Sequence, residues 1–200
     1  FSFYFQGTLG TEVFINDAQI DLSMADIDVD NGVVHVIDKV LSLPTVATLA
    51  SVNPDLSNLV TALSQEELVS AVADQDATLT VFAPANSSFD ALITEDPLAL
   101  GWMNIQDILD LGDMGASTTS TLDKVLKYHV IATGAVRAED ISSGDTPTTL
   151  QDQTFVLNES VDGEVTILDN QGRTISVTAT NITAINGVVH VVGNVLIPTL

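Results

Sequence analysis

Asn186-Gly187-Val188-Val189-His190-Val191-Val192-Gly193-Asn194-Val195-Leu196-Ile197-Pro198 decides the fold, because nearly the same words occur earlier as Asn31-Gly32-Val33-Val34-His35-Val36-Ile37-Asp38-Lys39-Val40-Leu41. Eight of the eleven aligned positions are identical. Asn-Gly is a strong turn signal, and the β-branched run behind it reads as a buried strand whose His must find a polar partner. Each copy is therefore predicted to be the return strand of a hairpin. The copies stand 155 positions apart, too far for a solenoid repeat and close to the size of a common domain. That spacing predicts two units: residues 1–43 as the closing strands of one domain, and residues 44–200 as a whole second one.

Around that stretch the chain is apolar inside and acidic outside. With 46% hydrophobic residues it can bury one substantial core. Five basic residues (Lys39, Lys124, Lys127, Arg137, Arg173) against 27 acids give a formal charge of −22. Such a charge repels phosphate backbones and anionic lipid alike, so nucleic acid is excluded as a partner. It suits a protein kept soluble in salt, where screening over roughly 10 Å removes much of the self-repulsion. The absence of Cys excludes a disulfide framework, a thiolate metal site and a Cys nucleophile. No apolar run is long enough to span a bilayer, so no membrane insertion is expected, and no basic, apolar-cored leader opens the sequence. Tyr4-Phe5-Gln6-Gly7 matches the end of a protease-cleavage tag, which makes residues 1–7 partly tag-derived on this reading.

Periodicity divides the chain into strands, then helices, then strands. Residues 11–43 alternate as a ribbon of strands, with Asn16-Asp17 as a turn and Pro44 as its end. From Thr45 the period becomes helical. Val46, Leu49 and Ala50 make one stripe; Asn53-Pro54 caps a second helix through Leu56, Leu59, Val60 and Leu63; Ser64-Gln65-Glu66-Glu67 reads as a capping box opening a third. Thr78 to Pro84 is strand-like, and Asn86 caps a helix carrying Phe89 and Leu92 inward. Pro97 starts another helical turn. Ile105, Ile108 and Leu109 have helical spacing, the stretch to 120 reads as exposed loop, and Leu122, Val125, Leu126 and His129 form a further helix face. Residues 155–157, 165–168 and 175–178 return to period two, with turns at Asp162-Gly163 and Gln171-Gly172. Helices first and strands last predict an α+β architecture.

Three stretches together resemble the fasciclin domain. Thr80-Val81-Phe82-Ala83-Pro84-Ala85-Asn86-Ser87-Ser88-Phe89-Asp90-Ala91-Leu92 looks like the family's first signature, Leu126-Lys127-Tyr128-His129-Val130 like its Tyr-His motif, and Asn186 to Pro198 like its last. Gly193 departs from the family's usual Asp, which Asp38 retains in the first copy, and the loop at 110–121 is longer than the pattern predicts. The resemblance implies an α+β, wedge-like β-sandwich with helices packed around it. It implies a secreted or cell-surface protein of adhesion and matrix contact, in general not enzymatic and without a cofactor, whose partner is an extracellular protein or polysaccharide. It also implies that residues 11–43 are the closing strands of a preceding fasciclin-like domain.

Tyr128 and His129 resemble the stretch to which receptor binding is attributed in animal members of the family; the competing reading is a pair satisfied inside the domain. His35 and His190 hold equivalent places, and each sits in an apolar run, so no metal site is assigned to them. Asp26, Asp28 and Asp30 mimic the start of a calcium loop but fail it, since Asn31 stands where Gly is required and Ile37 where the closing Glu should be. No nucleophile elbow, phosphate loop or His-Glu-x-x-His appears, so no enzyme is predicted. Asn86, Asn158 and Asn181 begin glycosylation sequons. A rival class is a glycan-binding or glycan-processing protein using clustered carboxylates. Finally, the apolar faces of residues 11–43 are expected to pair, either with another chain in a homo-oligomer or with the sheet of residues 150–198.

Overall fold

The computed structural model describes residues 5–8, 12–16, 18–96, 101–110 and 120–200. The helical turn expected at Pro97 and most of the loop read at 110–121 lie outside those residues.

The helical layer comes from the first half of residues 44–200. Thr45 accepts the amide of Thr48 and so starts α1 (Val46–Val52), which buries the stripe Val46, Leu49 and Ala50. Asn53 caps a single 3-10 turn at Pro54–Leu56, and α2 (Ser57–Gln65) follows, burying Leu59, Ala62 and Leu63. Two predicted caps do not form. Ser64 lies inside α2 and bonds back to the Val60 carbonyl, so α3 (Val69–Ala73) starts without a side-chain cap. Asn86 begins α4 (Asn86–Glu95) and reaches sideways instead: its amide donates to the Pro54 carbonyl and Ser57 hydroxyl, and its oxygen accepts the Asn58 amide. A capping box at Asn104 and Asp107 opens α5 (Ile105–Leu109), and α6 (Thr121–Tyr128) is capped by Ser120.

Six strands form one mixed sheet: β6 (Leu79–Pro84), β7 (Val130–Ile131), β8 (Val156–Glu159), β9 (Val165–Leu168), β10 (Thr174–Ala184) and β11 (Gly187–Val192), in the order β7-β6-β11-β10-β9-β8. Every pairing is antiparallel except β11 on β6, which runs parallel from Gly187 opposite Leu79 to Val192 opposite Pro84. The Asn-Gly pair makes this pairing possible, though not as a simple turn. A Cβ on Gly187 would stand 2.1 Å from the Leu79 carbonyl oxygen, so only glycine lets the strands meet. Asn186 acts through its side chain, accepting the Val46 amide and donating to the carbonyls of Val72 and Asp74. One residue thus ties the closing hairpin to the start of α1 and the end of α3, while its backbone carbonyl accepts the amide of Leu79 at the start of β6.

Register shifts within β10, between Val177 and Ala179 and again before Ile182, bend the sheet. Its two faces consequently bury separate cores. Leu79, Val81, Ala83 and Val189 pack under the helices with Leu59, Phe89 and Leu126; Phe82, Phe155, Leu157, Ile167 and Val192 pack on the other side. The predicted α+β wedge is what is observed.

The described residues among the first 43 form two small sheets of their own: β1 (Phe5–Thr8), β2 (Glu12–Ile15) and β3 (Ala18–Gln19) in one, β4 (Ile27–Val29) and β5 (Gly32–Val34) in the other. Among the described residues they do not extend the sheet of residues 150–198, and its edges show why. Leu157 in β8 exchanges backbone hydrogen bonds with Gly144 and Asp145, and Val130 in β7 accepts the amide of Leu150. The 144–150 loop therefore occupies both edges.

Replacing Gly187 by Ala is expected to lower the stability of the domain by more than about 3 kcal/mol in denaturant unfolding, since the methyl meets backbone that no rotamer change can move. The same change at Gly32, where nothing lies within 4 Å, should leave stability nearly unchanged.

Candidate functional site

α6 delivers Tyr128 and His129 to the junction of both cores. Leu122, Val125 and Leu126 seat its inner face, Lys127 pairs with Asp123 one turn back, and the chain passes from His129 into β7. Both side chains are enclosed: Tyr128 is 0% exposed and His129 2%. The Tyr128 hydroxyl donates to the Thr154 carbonyl, and the ring meets Phe155 edge-on at 5.6 Å. Phe155 meets Phe82 edge-on at 5.3 Å, and Phe82 stacks on His190 at 5.3 Å. Four rings in contact thus join the Tyr-His stretch to the strand at 80 and the strand at 190.

His129 has one usable tautomer. Nδ1 lies 2.7 Å from the Val125 carbonyl and must donate, while Nε2 accepts the Leu196 amide at 2.9 Å. A proton on Nε2 would confront that amide. Burial pulls the imidazole's pKa down to about 4; the Val125 carbonyl works against this, and the nearby charges of Arg173 and Asp169 oppose each other. The Tyr128 hydroxyl is pushed up, by burial first and then by the charge of Asp169. His190 donates Nε2–H to the Val136 carbonyl, and burial lowers its pKa as well.

Asp169 and Arg173, which sequence reading passed over, complete the arrangement. The Asp169 carboxylate is fully enclosed; it accepts the amides of Gln171, Arg173 and Ile197 and two bonds from the Arg173 guanidinium, the shorter at 2.6 Å. Arg173 also donates to the Val195 carbonyl at 2.6 Å and reaches Glu95 at 3.3 Å. Three successive residues of the last segment are therefore held by side chains: Val195 by Arg173, Leu196 by His129, Ile197 by Asp169. The available signal was an Asp and an Arg four apart across the Gln171-Gly172 turn, one of only five basic residues in the chain.

The other candidates lie apart from this centre. Asp26, Asp28 and Asp30 are exposed near β4, and among the described residues no three His, Asp or Glu side chains converge to hold a metal. Asn181 spends its amide on Glu139 and its oxygen on the Ala138 amide, as Asn86 spends its own on α2. Gly193, the departure from the family pattern, has a local cause: a Cβ there would lie 2.9 Å from the Ser176 hydroxyl.

Comparison with known proteins settles the family. The fasciclin domain description matches residues 1–44 and 54–198. The chain belongs to the fasciclin domain family. A fasciclin-like arabinogalactan protein of Arthroderma benhamiae is 30% identical over 172 residues, which cover 86% of this chain and 35% of that protein. Protein sll1483 of Synechocystis is 30% identical over 162 residues, 80% of this chain and 76% of that one. The chain thus spans about a third of the first relative and about three quarters of the second. Among solved structures, the FAS1 domain pair of the insect cell adhesion molecule fasciclin I superposes with a TM-score of 0.64 over 99% of this chain and 66% of that chain, at 20% identity. That likeness shows the fold. The fasciclin signatures at 80, 128 and 186 are the three that the ring contacts join. Among the described residues, no helix is long and apolar enough to cross a membrane.

Two outcomes follow from this geometry. Because the folded His129 ionises near 4 and an unfolded one near 6.5, the unfolded chain binds the extra proton first; stability is full above about pH 6.5 and falls by roughly 3 kcal/mol as the pH drops towards 4. Urea midpoints across that range should show the slope, and His129→Asn should flatten part of it. Arg173→Ala, which strands a buried carboxylate, should cost roughly 3 to 5 kcal/mol, whereas Arg137→Ala on the exposed surface should cost little.

Proposed function

We propose that the chain is a non-catalytic interaction module of a secreted or cell-surface adhesion protein, binding an extracellular protein or polysaccharide through its outer surface. The observation that carries this reading is where the polar groups went: His129, His190, Tyr128, Asp169 and Asn186 are buried and spend their hydrogen bonds on backbone groups of their own domain. Tyr128 and His129 then serve binding from within, by setting the shape of the α6–β7 junction rather than by touching the partner. The fasciclin membership and the likeness to an insect adhesion molecule support the same reading. In it, residues 44–200 are one whole module and residues 1–43 the closing strands of another. The charge of −22 favours a neutral or basic partner over an acidic polysaccharide.

Immobilised arabinogalactan, collagen and heparin, each probed with the chain at near-physiological salt with and without EDTA, test this. Saturable, chelator-insensitive binding to arabinogalactan or collagen and none to heparin is the expected result. No binding to any of the three, or shortening of the polysaccharide, would overturn it.

A further inference from the structure

The polar side chains of the interior are spent on backbone, but three at the surface corner where α2, α4 and α5 pack together are not. A cleft of about 450 Å³, open to solvent, lies there between Asn58 of α2, Asp90 and Ile93 of α4, and Met103, Asn104 and Ile105 at the start of α5. Its size falls within the roughly 300–1,000 Å³ typical of small-ligand sites. The apolar void beneath the helices, by contrast, measures about 20 Å³ and has room for little more than a water molecule.

The backbone around the cleft is fixed without help from the side chains that line it. Asn86 holds α2 to α4, donating to the Pro54 carbonyl and the Ser57 hydroxyl and accepting the Asn58 amide. Asp107 holds the start of α5: its Oδ2 accepts the backbone amides of Met103 at 2.7 Å and Asn104 at 3.0 Å, while Asn104 Oδ1 accepts the Gln106 amide. That leaves the Asn58 side-chain amide, the Asp90 carboxylate and the Asn104 Nδ2 group without a hydrogen bond among the described residues. Ile93 and Ile105 are half-buried against the helical core, and Met103 is 85% exposed. Idle hydrogen-bonding groups and apolar surface thus share one concave place on a rigid frame.

We propose that this cleft binds a neutral saccharide unit of a polysaccharide partner. The proposal rests on the interaction-module reading above and names its ligand class and its seat. A sugar ring carries hydroxyls around its edge, each able to donate and to accept, and C–H groups on its faces. Asp90 accepts from a pair of those hydroxyls, the Asn58 and Asn104 amides donate to their neighbours, and Met103, Ile93 and Ile105 cover a C–H face. No Lys or Arg lines the cleft, and the Asp90 charge within a molecule of net charge −22 repels a uronate or a sulfate. A lysine side chain of a basic protein would pair with Asp90 but offers the two amide donors no acceptor. Walls already fixed by Asn86 and Asp107 keep the ordering cost of binding low.

Neutral oligosaccharides released from arabinogalactan, titrated into the isotopically labelled full chain with an oligogalacturonide and an oligolysine peptide as controls, test the cleft. The neutral sugars are expected to give saturable amide shifts around Asn58, Asp90 to Ile93 and Met103 to Ile105, and neither control is expected to do so. Asp90→Ala should weaken sugar binding about tenfold or more and Asn58→Ala a few fold. The thermal midpoint of both variants should stay nearly unchanged, because neither side chain bonds within the domain. Three results would overturn the proposal: no binding of the neutral sugars, binding indifferent to Asp90→Ala, or shifts at the cleft from oligolysine and not from sugar, which would make a basic peptide the occupant. Arabinogalactan retained in full by the chain carrying both substitutions removes the cleft alone; no binding of arabinogalactan or collagen to the unmodified chain removes the module reading with it.

Discussion

The parallel seating of β11 on β6 is the contact on which the domain depends. A parallel pair cannot be closed by a short turn, so everything between residues 85 and 186, with three α-helices and four strands of sheet among the described residues, is in effect the crossover that brings the chain back beside its own first strand. The return is expensive in loop entropy and is made only once, at the end. Two side-chain-level facts let it succeed. Gly187 has no Cβ to strike Leu79, and the Asn186 amide bonds the residues on either side of the gap it closes.

Buried polar groups elsewhere serve the same closure. At the far end of β11 the chain runs on through Val195, Leu196 and Ile197, whose backbone groups would be stranded in an apolar interior. Arg173, His129 and Asp169 meet them one by one, and the Asp169 carboxylate is itself neutralised and saturated by Arg173 and three amides. The result is a domain whose titratable interior is spent on architecture. Among the described residues only Asp123 and Asp169 of the acids are buried, and the rest lie at or near the surface, which keeps such a molecule apart from its own kind and from polyanions. That distribution is the one the proposed interaction module calls for.

Much of this was legible in the sequence, and the exceptions share a cause. Period-two and period-3.6 patterns found β6, α1, α2, α6 and the last four strands, because burial of one face leaves a local trace. The duplicated Asn-Gly-Val-Val-His words found both hairpins. Ser64 and Asn86 misled because a cap residue is recognised by the residues that follow it, while the Ser64 hydroxyl bonds one turn back to Val60 in its own helix and the Asn86 amide bonds across the fold to Pro54. The buried state of Tyr128 and His129 was one of two readings, and only the positions of Thr154 and Leu196, distant in the chain, show which groups satisfy them. Asp169 and Arg173 left almost no signal. An i,i+4 acid and base across a turn resembles any surface pair until the C-terminal segment is laid over it.

Native-state hydrogen exchange on the unmodified chain measures the closure directly, because the sequence supplies its own control. Amides of Val188 to Val192 should exchange only through global unfolding, together with Leu79 to Ala83 and Leu196, while the identical Val33 to His35 should exchange orders of magnitude faster. If the twin hairpins exchanged at similar rates, or if β11 opened well below the free energy at which β6 does, the seating of β11 on β6 would not be what holds this domain together.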